Sequence, residues 1–247
     1  MPTSPSSTAM PTAIRMSEVA KRYARLQVLD GVDLEVRPGE FFGLVGVNGA
    51  GKTTCIKSLL DFTSIDAGSV EIFGVHHRET RARAQLAFLP ERFLPPYYLS
   101  GRDFLDYMGR LHGRSAGEQE GSGMCEKLDL DPEALAKSVR EYSKGMAQKL
   151  GLAASFLSGK NLFVLDEPMS GLDPKARLLV KRHLHSCHDQ GRTIFISTHM
   201  LSDVDELCDR MGILHDGKLR FVGSPQECRD QYSSDTLEEA YLSCISS

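Results

Sequence analysis

The chain has 247 residues, of which 25% are charged and 41% hydrophobic, with a net charge of −4 at pH 7. That is an ordinary soluble globular composition, long enough for one or two domains around a large core. It argues against a duplex-binding surface, which needs a basic stripe, and no apolar run approaches the roughly 20 residues that span a bilayer.

Residues 1–12 are rich in Pro, Ser and Thr and read as a disordered tail; they lack the basic start and apolar centre of a secretion signal. Apolar runs between turn residues predict strands at Ala13–Val19, Val32–Val36, Phe41–Val45, Ser69–Phe73, Leu86–Leu89, Asn161–Leu165, Thr193–Ser197 and Met211–His215. The run from Asn161 does not alternate, as expected of a strand buried on both faces of a parallel sheet. Gly51 to Asp61 reads as a helix, and Pro174 opens another. Between Leu99 and Lys160 no strand pattern occurs. Leu105, Tyr107, Met108 and Leu111 recur at helical spacing there, as do Leu150, Leu152, Ala153 and Leu157. This predicts a helical insertion at about 99–160 within an α/β unit at 13–223. Residues 224–247 read as a helical tail, with Leu237, Ala240, Tyr241 and Cys244 as a narrow apolar stripe. Six cysteines form no C-x-x-C pair and suit reduced thiols in a cytosol.

Gly46-Val47-Asn48-Gly49-Ala50-Gly51-Lys52-Thr53 follows the third run and fits G-x-x-x-x-G-K-[ST]. Its glycines let backbone N–H groups turn inward around phosphates, Lys52 reaches the β- and γ-phosphates, and the Thr53 hydroxyl can hold Mg²⁺. The following helix points its positive end at the same anion. Asp166 and Glu167 end an apolar strand. Asp166 can hold Mg²⁺ opposite Thr53, and Glu167 can polarise the attacking water. Alone, the pair fits equally an acid pair at a helix start. Ser143, with Gly145, opens another helix; it is either an ordinary cap or a second anion site.

Taken together, these motifs resemble an ATP-binding cassette (ABC) ATPase subunit over nearly all of Ala13 to Gly223. The resemblance rests on the phosphate loop, Tyr142-Ser-Lys-Gly-Met146, the Asp166-Glu167 strand end, Ser170-Gly-Leu-Asp173 and Ser197-Thr-His199, in the family's order. It implies a P-loop NTPase core with a parallel sheet, an antiparallel β subdomain and an inserted helical subdomain. It implies ATP and Mg²⁺ as cofactors, with Thr54 in the phosphate loop's helix. It further implies a head-to-tail homodimer in which Ser143 and Gly145 bind the γ-phosphate held by the partner chain. Glu167 and His199 would be catalytic, Asp173 would link the two sites, and Tyr23 would stack on adenine. Where the family usually has glutamine, Phe88-Leu89-Pro90 leads to Glu91, which could still reach Mg²⁺ or the water.

The form of Tyr142–Met146, with Gln148-Lys149, resembles the ABC-2 type exporter branch. It implies an ATPase motor, peripheral on the inner face of the cell membrane, working with a separate ABC-2 type membrane permease and without nucleic acid. Soluble family members of DNA repair or translation are the alternative; a small-molecule kinase or GTPase would leave the second anion site and His199 unexplained. The loop Arg92 to Ser100 either grips the membrane partner or buries its rings. Cys55 is either shielded by ATP or simply buried. His183, His185, His188 and Cys187 form no tetrahedral set, and Arg78, Arg81 and Arg83 read as a solvated face.

Overall fold

The computed structural model describes residues 12–114 and 117–246; the expected disordered tail lies outside the described residues except for Thr12. Two sheets carry the fold. Strands β1 (Ile14–Tyr23), β2 (Leu26–Val36), β4 (Ala67–Ile72) and β5 (Val75–His76) form an antiparallel sheet in the order β2-β1-β4-β5. Strands β3 (Phe41–Val45), β6 (Leu86–Leu89), β7 (Leu162–Asp166), β8 (Thr193–Thr198), β9 (Arg210–His215) and β10 (Lys218–Gly223) form the other, in the order β10-β9-β3-β8-β7-β6. This second sheet is parallel from β9 to β6, and β10 closes one edge antiparallel.

Every residue of β3, β7 and β8 is buried, as continuous apolar runs in a doubly covered sheet require. Successive side chains point to opposite faces. Phe41, Phe163, Leu165, Ile194 and Ile196 therefore face one cluster, built with α2 (Gly101–Leu111), α4 (Lys144–Leu157) and α5 (Pro174–Asp189). Phe42, Leu44, Leu162, Val164 and Phe195 face the other, built with α1 (Lys52–Leu59) and the antiparallel sheet. Between β6 and β7 the described chain is helical: α2, α3 (Glu118–Lys127), two 3₁₀ turns, then α4. After α6 (Leu201–Leu207) and the β9–β10 hairpin come α7 (Pro225–Gln231) and α8 (Leu237–Ser246). The Leu237, Ala240, Tyr241 and Cys244 stripe is buried against Val45 and Ile213. The architecture is the α/β arrangement with an antiparallel sheet and inserted helices that the sequence predicts.

Some strands differ from expectation. β1 runs on to Tyr23, and β2 begins already at Leu26, across Asp30 and Gly31, residue types depleted in strands. β10 was not predicted, because Lys218 and Arg220 break its apolar pattern. Its mark is the Asp216-Gly217 turn, with φ of +48° and +74°, the backbone of a tight two-residue hairpin.

Candidate nucleotide site

The phosphate loop joins β3 to α1. Gly51, the residue before the helix, takes φ +111°, which an L side chain rarely adopts. A Cβ on Gly46 would lie 2.4 Å from the Leu214 carbonyl oxygen, so only glycine lets the loop leave β3 beside β9. Lys52 is buried, and its ammonium donates to the carbonyls of Gly46 (2.6 Å) and Val47 (3.3 Å). It also lies 3.6 Å from Glu167 Oε1.

The acids arrive on the neighbouring strands. Thr53 Oγ1 donates to Asp166 Oδ2 at 3.1 Å, and the buried Ser197 hydroxyl donates to Asp166 Oδ1. The Glu167 amide donates to the Ser197 carbonyl (3.1 Å) and hydroxyl (3.2 Å). Glu167 takes φ +48°, in the left-handed region, at a cost of roughly 1–2 kcal/mol that the surrounding bonds must offset. Its carboxylate meets His199 Nδ1 at 2.9 Å. Buried charge is tolerated where it is paired, and Lys52, Glu167 and His199 form such a chain. Two hard oxygen donors, from Thr53 and Asp166, suit Mg²⁺.

A cleft lined by Asn48, Gly49, Gly51, Lys52, Thr53, Thr54, Glu91 and Glu167 opens above the loop. Ala50 is buried within the loop, its amide bonded to the Val47 carbonyl. His199 and Asn48 line an adjoining hollow with Tyr241 of α8. Tyr23 is not among the cleft-lining residues; its hydroxyl donates to Thr63 and Lys21 Nζ stands 5.3 Å from its ring centroid. Val28 of β2 lines the cleft instead. Ser143, Gly145 and Asp173 also lie outside that cleft. Ser143 caps α4 by accepting the Met146 amide at 3.2 Å, which leaves its hydroxyl proton free to donate to an anion. Asp173 caps α5, and the Ala176 amide it accepts holds its carboxyl below the usual range.

Of the two readings of Cys55, the geometry supports burial. It is fully buried beside Met16, and burial pushes its thiol up to about 12, so shielding by ATP is unnecessary to explain an inert thiol. The Arg92 to Ser100 loop divides. Phe93 packs against the helical core, while Leu94, Tyr97 and Tyr98 are 69–81% exposed. Among the lesser features, His188 pairs with Asp209 at 3.0 Å, His183 lies against the Phe156 ring, and Arg83 donates to the His77 carbonyl.

Sequence reasoning missed Val28, the Ser197 hydroxyl and a clip in which buried Asp203 takes Arg177 and Lys181, each at 2.9 Å. Ser197 sits in Ser-Thr-His, so a hydroxyl at the end of a buried strand beside Asp166 was the available signal.

Comparison with known proteins gives the family. A model of the ABC transporter family matches residues 29–170. The Nod factor export ATP-binding protein I of Burkholderia thailandensis is 37% identical over 236 residues, covering 94% of this chain and 74% of that protein. The daunorubicin resistance ATP-binding protein DrrA3 of Streptomyces coeruleorubidus is 34% identical over 231 residues, covering 92% and 73%. An ABC transporter ATP-binding protein of Synechocystis sp. is 37% identical over 206 residues; the match spans 82% of this chain and 58% of that relative's length. A solved ATP-binding subunit of an ABC transporter superposes with a TM-score of 0.88 at 28% identity, covering 94% of this chain and 99% of the other. The chain belongs to the ABC transporter ATP-binding family and is an ATP-binding, ATP-hydrolysing subunit.

Proposed function

We propose that this chain is the ATPase motor of a membrane exporter, acting as a head-to-tail homodimer on a separate ABC-2 type permease at the inner face of the cell membrane. The observation that carries this reading is the convergence of Lys52, Glu167 and His199 at the phosphate loop. ATP phosphates would draw the Lys52 ammonium off the loop carbonyls of Gly46 and Val47. Thr53 and Asp166 would hold Mg²⁺, whose chemistry there would be charge neutralisation at the reacting phosphates. Glu167 would then orient and deprotonate the attacking water, with His199 bonding the γ-phosphate. Glu91 lines the same cleft and is within the set that could meet the metal or the water. The half-exposed Tyr23 ring would carry adenine by stacking.

Ser143 and Gly145 lie outside their own chain's cleft and would close on the γ-phosphate of the partner, with Asp173 between the two sites. The exposed Leu94, Tyr97 and Tyr98 are an apolar patch of the kind that marks an interface, and we assign it to the permease. Among the described residues no helix is long and apolar enough to cross a membrane. The similarity to export and resistance proteins favours transport over repair or translation.

Glu167→Gln tests the core of this. Loss of a general base costs about 10²–10⁴ in rate. The expected result is turnover down by that factor, ATP affinity within a few-fold of the parent, and a dimer that accumulates in ATP on size-exclusion chromatography with light scattering. Wild-type turnover would remove Glu167 from the base role, and a strictly monomeric ATP-bound variant would sink the head-to-tail reading.

A further inference from the structure

Glu167 is fixed from both sides of the chain. Upstream, its amide is bonded to Ser197 on β8. Downstream, the next carbonyl, that of Pro168, accepts a hydrogen bond from Gln148 Nε2 at 2.9 Å. Gln148 lies in the second turn of α4 and is 2% exposed. It is one of three polar tethers from the start of α4 to residues 168–173. Lys144 Nζ donates to Ser170 Oγ at 3.3 Å. Lys149 Nζ stands 3.9 Å from Asp173 Oδ2, and Asp129 braces it by accepting through its carbonyl (2.7 Å) and carboxylate (3.3 Å).

The backbones also meet. A Cβ on Gly145 would lie 3.2 Å from the Gly171 carbonyl oxygen, and one on Gly171 would lie 3.1 Å from the Lys144 side chain. The first turn of α4 and the strand end that carries Glu167 thus form one tightly joined body.

We infer that Gln148 is a positioning residue for Glu167, through which the N-terminus of α4 couples its anion site to the water-activating carboxylate. The coupling rests on the head-to-tail reading, in which Ser143 and Gly145 receive the partner's γ-phosphate. Seating that phosphate draws α4 inward; Gln148 carries the shift to the Pro168 peptide; Glu167 then takes its working position. Glu167 in one site thereby responds to nucleotide in the other, beside the link assigned to Asp173. The stacked requirements explain why a carboxamide is buried here. A leucine would fill the space but leave the Pro168 carbonyl without its donor.

The test uses Gln148→Leu in the full chain, alone and combined with Glu167→Gln, with the surface variant Lys144→Met beside it. A misplacement of about 1 Å in a catalytic group costs up to about 10²-fold. Gln148→Leu is expected to lower kcat by about 10- to 100-fold. Its ATP Kd, read by fluorescent-nucleotide titration, stays within twofold of the parent, and the Glu167→Gln combination still dimerises in ATP. Lys144→Met, which removes one exposed tether, shows the same split more weakly and carries the test if Gln148→Leu does not fold. Loss of Kd, dimer and turnover together would make Gln148 merely structural and overturn the inference. So would kcat within twofold of the parent in both variants. A Glu167→Gln parent that stays monomeric overturns the head-to-tail reading and the coupling together; a dimerising parent with unchanged tether variants overturns the coupling alone.

Discussion

Ser197→Ala removes a single oxygen from the centre of the site. That hydroxyl is wholly buried, donates to Asp166 and accepts the Glu167 amide. The amide keeps its bond to the Ser197 carbonyl at 3.1 Å, so its loss is minor. Asp166 loses a charge-assisted donor and, among the described residues, keeps the Thr53 hydroxyl. A hydrogen bond to a charged group contributes about 1.5–3 kcal/mol, and the alanine leaves no large cavity to add to it. The expected destabilisation is therefore about 1.5–3 kcal/mol, or a fall in Tm of roughly 3–12 °C for a domain of this size. Urea unfolding followed by far-UV circular dichroism measures it. In the Asp166→Ala background the Ser197 hydroxyl has no carboxylate to serve, so the second substitution should cost less than 0.5 kcal/mol, within the error of additive sites. A Ser197→Ala protein within 0.5 kcal/mol of wild type, or equal costs in both backgrounds, would refute the assignment.

Two further outcomes follow from the same geometry. At pH 7.5 a thiol held up to about 12 is thiolate in roughly one molecule in 10⁴ or fewer, so Cys55 should stay unlabelled by maleimide with or without ATP and react only after unfolding, as read by peptide mass spectrometry. Native labelling would show that the burial argument fails. Asp129 is held below the usual carboxylate range, first by its hydrogen bond from Lys175 (2.5 Å) and then by Lys149. A depressed folded-state value means that the unfolded chain takes up the proton first as pH falls. The stability Asp129 contributes is thus present above its unfolded value of about 3.9 and lost as pH drops through the folded one. The urea midpoint of Asp129→Asn should lie below wild type at pH 7, with a gap that shrinks as pH falls below about 3.9 and that narrows in high salt; a constant gap would contradict this.

The parts of the site that were legible in the sequence are those built from neighbours along the chain. The phosphate loop compresses strand, turn, cation and hydroxyl into Gly46 to Thr53, and the buried run Leu162–Asp166 carries its acids at its own end. Their shared chemistry could be read from spacing because the spacing is the geometry. What escaped are groups whose role exists only across folded distances. Gln148 and Pro168 are 20 residues apart, Ser197 and Asp166 are 31 apart, and Val28 reaches the cleft from the other sheet. Where the Tyr23 ring stands relative to the cleft likewise depends on where the bulged β1–β2 hairpin carries it. Nothing local encodes that.

The site's alignment is set by core packing rather than by the polar residues themselves. In the parallel register Val45 lies beside Thr198, and Asp166 beside Ser197. Val45, Thr198 and Glu167 therefore share a row across three adjacent strands, with Gly46 and His199 one residue further on, at the carboxyl ends where open α/β sheets bind ligands. That register is held by alternation. Phe163 and Leu165 on β7 share the helical face of the sheet with Ile194 and Ile196 on β8, and Val164 shares the opposite face with Phe195. A slip of one residue of β7 along β8 would move every β7 side chain to the opposite face. It would also carry Asp166 off the side where Thr53 waits. The large apolar residues, which touch no nucleotide, thereby fix the 3.1 Å between a hydroxyl and a carboxylate that lie 113 positions apart in the chain.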